Sequence, residues 1–157
     1  MKNKLYQYDL KLLEFINQNR IKAWDHIFIF ITDTVTLVTI AIGLGILLYG
    51  IFLKNRVLKF NGCLIIGCIT INSLIDNILK YSINRERPFI NHPFIEKLST
   101  GGSPSFPSGH TTDAFVIAFS ITLLFYHNRL VLLLIWIWAF LVAYSRVVLG
   151  VHYLSDV

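Results

Sequence analysis

Charge is what this chain has least of. Of its 157 residues only 15% are Asp, Glu, Lys or Arg, 55% are hydrophobic, and the mean hydropathy is +0.62. An ordinary globular domain carries roughly a quarter charged residues. The length would suffice for one soluble domain with a respectable core, but the apolar residues are gathered into blocks that can cross a bilayer, which takes about 20 helical residues. Cysteine is scarce too: Cys63 and Cys68 are the only two. Five apart in one apolar run, they point about 140° apart on a helix, which argues against a mutual disulfide and makes both small buried hydrophobes. All four prolines fall between Ser82 and Pro107 with Gly101 and Gly102, so no helix runs through that segment. The first twenty-odd residues mix charged and apolar groups instead of forming a continuous hydrophobic stretch before a small-residue cleavage site, so no cleavable signal peptide is expected. No basic stripe is interleaved with exposed aromatics, so the net charge of +5 does not signal nucleic acid. Internal repeats and low-complexity tracts are absent.

What is present reads as an all-α, polytopic membrane helical bundle with an amphipathic amino-terminal helix. Leu5, Tyr8, Leu12, Phe15 and Ile16 stand at helical spacing among Lys4, Asp9, Lys11, Glu14 and Arg20, the pattern of a helix lying on a membrane surface. Spanning helices are predicted over residues 26–53, 58–81, 108–126 and 130–149, with short turns at Lys54 to Lys59 and at His127 to Arg129. Parity then places the amphipathic start, the long loop and the final segment on one face of the membrane. Positive residues do not orient the bundle, because Lys54, Arg56, Lys59 and Arg129 oppose Lys2, Lys4, Lys11, Arg20 and Lys22. Lys80, Arg85 and Arg87 are set aside as candidates for chemistry.

Three polar clusters end these apolar runs. In the first, Lys80 and Arg87 are seven apart, about 20° around the axis of a continued helix that Pro88 would end. A lysine point charge beside an arginine fork suits a phosphoryl group, although basic side chains also snorkel at helix ends. In the second, Pro107 to His110 open a helix: Ser108 can cap it, Gly109 lets the backbone approach an anion, and His110 stands by as a proton donor. The same four residues also make a plain cap and turn. In the third, His152 and Asp156 are four apart, on one face if helical, so the carboxylate can orient the imidazole. Arg146, six before His152, requires a break near Gly150. A lone interfacial histidine can equally be a polar anchor. Asp33, Asn72, Asp76 and Asn77 fit interhelical hydrogen bonding or a polar cavity, and Asp113 could tune His110.

Jointly the clusters have the composition and order of a known family. The chain resembles the type 2 phosphatidic acid phosphatases, whose active-site architecture is shared with vanadium haloperoxidases and bacterial acid phosphatases. Lysine, six residues, then arginine-proline is matched by Lys80, Arg87 and Pro88. PSGH is matched by Pro107 to His110. Serine-arginine, five residues, histidine, three residues, aspartate is matched by Ser145, Arg146, His152 and Asp156. The resemblance implies His152 as the nucleophile that forms a phosphohistidine, Asp156 as its orienting partner and His110 as the general acid. It implies Lys80, Arg87, Ser108, Gly109 and Arg146 as the phosphate cradle, with no metal and no cofactor.

Relatives continue past the aspartate into a full hydrophobic helix, whereas only Val157 follows here. The expectation is therefore a single phosphatase domain over 1–157 that lacks the final transmembrane helix and packs Asp156 poorly. The expected partners are the membrane and a lipid phosphate, with undecaprenyl diphosphate first and phosphatidylglycerol phosphate or lipid A as alternatives. The expected place is the bacterial cytoplasmic membrane, with the site on its extracytoplasmic face. A haloperoxidase would be soluble, and a non-catalytic lipid-binding protein would not need His110, His152 and Asp156 together.

Overall fold

A computed structural model describes residues 2–157. Its helices are α1 (Lys2–Gln18), α2 (Asp25–Asp33), α3 (Val35–Phe52), α4 (Arg56–Ile83), α5 (Pro88–Asn91), α6 (Gly109–Leu124) and α7 (Arg129–Val148). The segments Val35–Phe52, Arg56–Asn91 and Arg129–Val148, with mean hydropathies of 2.3, 1.7 and 2.2, are long and apolar enough to cross a membrane; α6 is apolar but shorter. The two short turns work as the sequence suggests. Asn55 accepts from the Val57 and Leu58 N–H groups to start α4, and Asn128 accepts from Val131 N–H to start α7.

The bundle is two hairpins, α3 with α4 and α6 with α7, joined by packing of α4 on α6 and closed by α2 against α7. Small residues let the helices approach. A Cβ on Gly62 would lie 2.6 Å from the Leu47 backbone, and the seam of α6 and α7 is built on Ala114, Ala118, Ala139 and Val142. The outer surface is apolar, with Leu37, Phe52, Ile78 and Phe140 exposed as hydrocarbon contact requires. The chain is an all-α, polytopic membrane protein.

Four sequence expectations change. The first span is two helices meeting at Thr34, whose hydroxyl donates to the Phe30 and Ile31 carbonyls and so competes with the backbone ladder. Helix α4 does not carry Lys80 and Arg87 on one face: it stops at Ile83, where Asn84 takes the left-handed conformation at φ 47. Pro88 ends nothing; it opens α5, where its missing N–H costs no hydrogen bond, and holds Arg87 extended before it. Cys63 and Cys68 are free, as expected, but exposed, because an apolar run in lipid does not say which face turns inward.

Helix α1 is amphipathic as a helix on a membrane surface is expected to be. Leu5, Tyr8, Leu12 and Phe15 form its exposed stripe, while Asp9, Leu13 and Asn17 are buried. Asn17 donates to the Glu96 and Val148 carbonyls and accepts from Glu96 N–H, so one side chain ties α1 to the long loop and to the end of α7. Leu98 N–H to Leu149 O and Ser105 N–H to Arg85 O complete the gathering. The amphipathic start, the loop and the final segment lie at one end of the bundle, as parity requires.

Candidate active site

The site is assembled where α7 ends. Arg146 occupies its last turn, and the chain reverses at Gly150, whose φ of 70 suits glycine and where a Cβ would overlap Glu96 O. The Val151 and His152 N–H groups then bond back to Arg146 O at 3.2 and 3.3 Å. The expected break is there, but no helix follows it. Tyr153 is extended and Leu154–Asp156 is a single 3-10 turn, so His152 and Asp156 meet across a turn and not along a helix face. His152 Nδ1 stands 3.6 Å from Asp156 Oδ2, beyond hydrogen-bond length, and is otherwise unpartnered. Asp156 is 4% exposed, so the poor packing expected for it is not found.

Asp156 is thoroughly held. Oδ2 accepts from Tyr153 N–H at 2.9 Å and from the Ser105 hydroxyl, and Oδ1 accepts from Arg85 at 2.5 Å. Its backbone carbonyl accepts from Ser108 N–H at 2.9 Å, which stitches the second cluster to the third. Burial alone would raise the Asp156 carboxyl, but His152, Ser105, Arg85 and the Tyr153 N–H together hold it below the usual carboxylate range.

The cations converge although they come from different elements. Arg87 Nη1 lies 3.3 Å from His152 Nε2 and donates to Val151 O at 2.9 Å, while Nε donates to Ser103 O at 2.7 Å. Arg146 Nη1 donates to Thr32 Oγ1 at 2.5 Å, and its Nε is buried without a partner. Neither guanidinium is in an ion pair among the described residues, yet they are 5% and 2% exposed. Lys80 Nζ sits against Gly109, 3.2 Å from where a Cβ would be. His110, in the first turn of α6, has Arg146, His152, Lys80 and Arg87 as its electrostatic neighbours.

Ser108 precedes α6 without capping it. Its Oγ instead accepts from Thr111 at 3.0 Å, which leaves its own proton free to donate. The Ser145 hydroxyl bonds Val142 O within α7. For His152, burial pushes the imidazole down to about 4, the Arg87 and Arg146 guanidiniums push the same way, and Asp156 opposes them. A neutral ring carries one free lone pair, and the Arg87 guanidinium, which can only donate, favours the tautomer that places it on Nε2. All eight predicted residues are gathered at one end of the bundle.

The deeper polar residues serve packing. Asn72 bonds Thr112 and Asp113, and Thr112 donates to Asp76, all between α4 and α6; Asn77 bonds Ser73 O in its own helix. Asp113 is thereby turned toward Asn72. Sequence reasoning missed Thr32, Ser103 and Ser105 as supports, and Gly101, which lies on the Arg87 guanidinium. No spacing rule links them to the clusters. Among the described residues no group of three or more His, Cys, Asp or Glu is arranged to hold a metal ion.

The chain is 34% identical over 133 residues to the undecaprenyl-diphosphatase BcrC of Bacillus subtilis (strain 168), covering 85% of this chain and 65% of that protein. It is 30% identical over 162 residues to a lipid A 4'-phosphatase of Bacteroides thetaiotaomicron, covering 97% and 70%. The crystal structure of a transmembrane PAP2-type phosphatidylglycerolphosphate phosphatase from Bacillus subtilis superimposes with a TM-score of 0.79 at 26% identity, covering 98% of this chain and 77% of that one. The PAP2 superfamily model matches residues 61–157, the stretch that holds all three clusters, and the chain belongs to that superfamily.

Proposed function

We propose that the chain is an integral-membrane lipid phosphatase that works through a phosphohistidine on His152, in a single domain over 1–157. The observation that carries this is the pair of buried guanidiniums, Arg87 and Arg146, without carboxylate ion pairs among the described residues and with Arg87 beside His152 Nε2. Buried positive charge of this kind is costly unless an anion is bound. A phosphoryl group between the two arginines would also meet Lys80, the Ser108 proton and the backbone at Gly109, which is a cradle for charge that grows in the transition state.

In the first step the Nε2 lone pair attacks phosphorus, the bond from phosphorus to the leaving oxygen breaks, and His110 gives its proton to that oxygen. In the second, His110 takes a proton from water as the water oxygen attacks the phosphohistidine, which returns His152 and releases inorganic phosphate. Asp156, whose Oδ2 faces Nδ1 at 3.6 Å, offsets the positive charge that Nε2 substitution creates and draws within hydrogen-bond reach of the ring as that charge forms. No step needs a metal.

The substrate we favour is undecaprenyl diphosphate, with the site on the extracytoplasmic face of a bacterial cytoplasmic membrane. Support comes from the similarity to an undecaprenyl-diphosphatase and from a site at the membrane interface, where a headgroup is reached while its tail stays in hydrocarbon. Phosphatidylglycerol phosphate and lipid A are the competing substrates.

The test is phosphate release in detergent with excess chelator from each of the three lipids, for the unmodified chain and for His152→Ala. Chelator-resistant release that disappears in the variant is expected, fastest with the prenyl diphosphate. Release that survives His152→Ala would exclude the phosphohistidine, and faster turnover of either other lipid would replace the substrate.

A further inference from the structure

Arg85 and Asp9 touch no part of the phosphate cradle, yet both are committed to the carboxylate behind the nucleophile. Arg85 divides its fork: Nη1 donates to Asp156 Oδ1 at 2.5 Å and to Ser155 Oγ at 2.7 Å, and Nη2 to Asp9 Oδ2 at 2.7 Å. Its guanidinium also lies 4.0 Å from the centre of the Tyr153 ring. Asp9, on the inward face of α1, accepts from Ser155 N–H at 3.0 Å and from the Ser155 hydroxyl. A helix far away in sequence thus reaches the site through Arg85 and through Ser155.

The geometry assigns that arginine a purpose. The terminal torsion of an aspartate is soft and roughly two-fold, so the oxygen presented to His152 is set by what pins both oxygens. Oδ2, which faces His152 Nδ1, has Ser105 and the Tyr153 N–H; Oδ1 has Arg85 alone. Arg85 is a long side chain, 23% exposed, with solvent as its alternative. Asp9, 8% exposed, holds it in place. A planar fork held at both ends fixes the plane of the carboxylate it grips.

We propose that Arg85, braced by Asp9, is a positioning residue for Asp156 and through it for the His152 imidazole, so that α1 is part of the working site. This rests on the phosphohistidine reading above. Loss of Arg85 frees Oδ1, lets the carboxylate turn, and leaves the His152 ring without a preferred tautomer. Substrate contacts are untouched, so the defect lies in kcat.

The experiment uses the full chain in detergent with the lipid phosphate that the unmodified protein turns over, comparing it with Arg85→Gln and Asp9→Asn. Arg85→Gln is expected to lower kcat on the order of 10- to 100-fold, the scale of a misplaced reacting group, with KM within about threefold. Asp9→Asn is expected to do the same more weakly, and the double variant to be no slower than Arg85→Gln. Histidine-labelled protein read by 15N NMR at pH 7 is expected to show His152 as the Nδ1–H tautomer in the unmodified chain and as a mixture in Arg85→Gln. A raised KM with kcat retained, or an unchanged tautomer, overturns the inference. Should Arg85→Gln fail to fold, Asp9→Asn, which keeps the side-chain shape, decides by the same two readouts. No release from the unmodified chain, or release that survives His152→Ala, removes the phosphohistidine reading and this inference with it. Release that needs His152 but is indifferent to both variants removes the inference alone.

Discussion

Gly101 shows how much of the site depends on a residue with no side chain. A Cβ there would lie 2.6 Å from Arg87 Nη1 and 2.9 Å from Cζ, and Arg87 is otherwise fixed by Ser103 and Val151. Gly101→Ala must therefore push the guanidinium off His152 or lift the loop. The expected result is a loss of kcat/KM of roughly tenfold or more with little change in Tm, measured on the same lipid phosphate; unchanged kcat/KM would show that Arg87 tolerates the displacement. In the sequence Gly101 is only a helix breaker. The candidacy of Lys80, Arg87, His110, Arg146 and His152 is legible from residue type and order, whereas the supports at Thr32, Ser103 and Ser105 are not, since a hydroxyl that accepts from a buried arginine or donates to a buried aspartate looks like any other hydroxyl until the chain folds.

Elements are legible to the extent that local forces set them. Asparagine caps and apolar runs start α4 and α7 where the sequence places them. What local pattern could not reveal is the role of the α1 faces. The stripe Leu5, Tyr8, Leu12 and Phe15 is exposed, as a helix on a membrane surface requires, while the opposite, buried side carries Asp9 and Asn17, which the pattern does not mark as packing residues. Asn17 is 0% exposed and makes three hydrogen bonds that join α1, the loop and α7. Asn17→Ala leaves two carbonyls and an N–H unpaired, which is expected to destabilise the fold by roughly 2–4 kcal/mol. Thermal unfolding in detergent measures it, and a Tm within a degree of the unmodified chain would show that water replaces the side chain.

For the whole molecule, the buried site makes stability depend on pH. His152 sits at about 4 against an ordinary value of 6.5, so below 6.5 the unfolded chain takes up a proton that the native site resists. Stability from this group is full above about 6.5 and declines as pH falls through about 4, by on the order of 3 kcal/mol. Asp156, held below its ordinary value, has the same sign. Tm is expected to drop from pH 6.5 to 4, less steeply in His152→Gln; equal slopes would assign the drop to other groups. Sequence alone determined the solvent, because the length and apolarity of the runs leave only a bilayer to accept them. It also singled out the candidate residues of the phosphatase reading, because the three clusters supply, in the order of the family's motifs, the residue types that such a site would need. The tertiary structure decided how they meet: across a turn at Gly150, from an extended Arg87, and with α1 bracing Asp156. These contacts join residues tens of positions apart, and the energy that selects them comes from burial and from the pairing of polar groups that no local window contains.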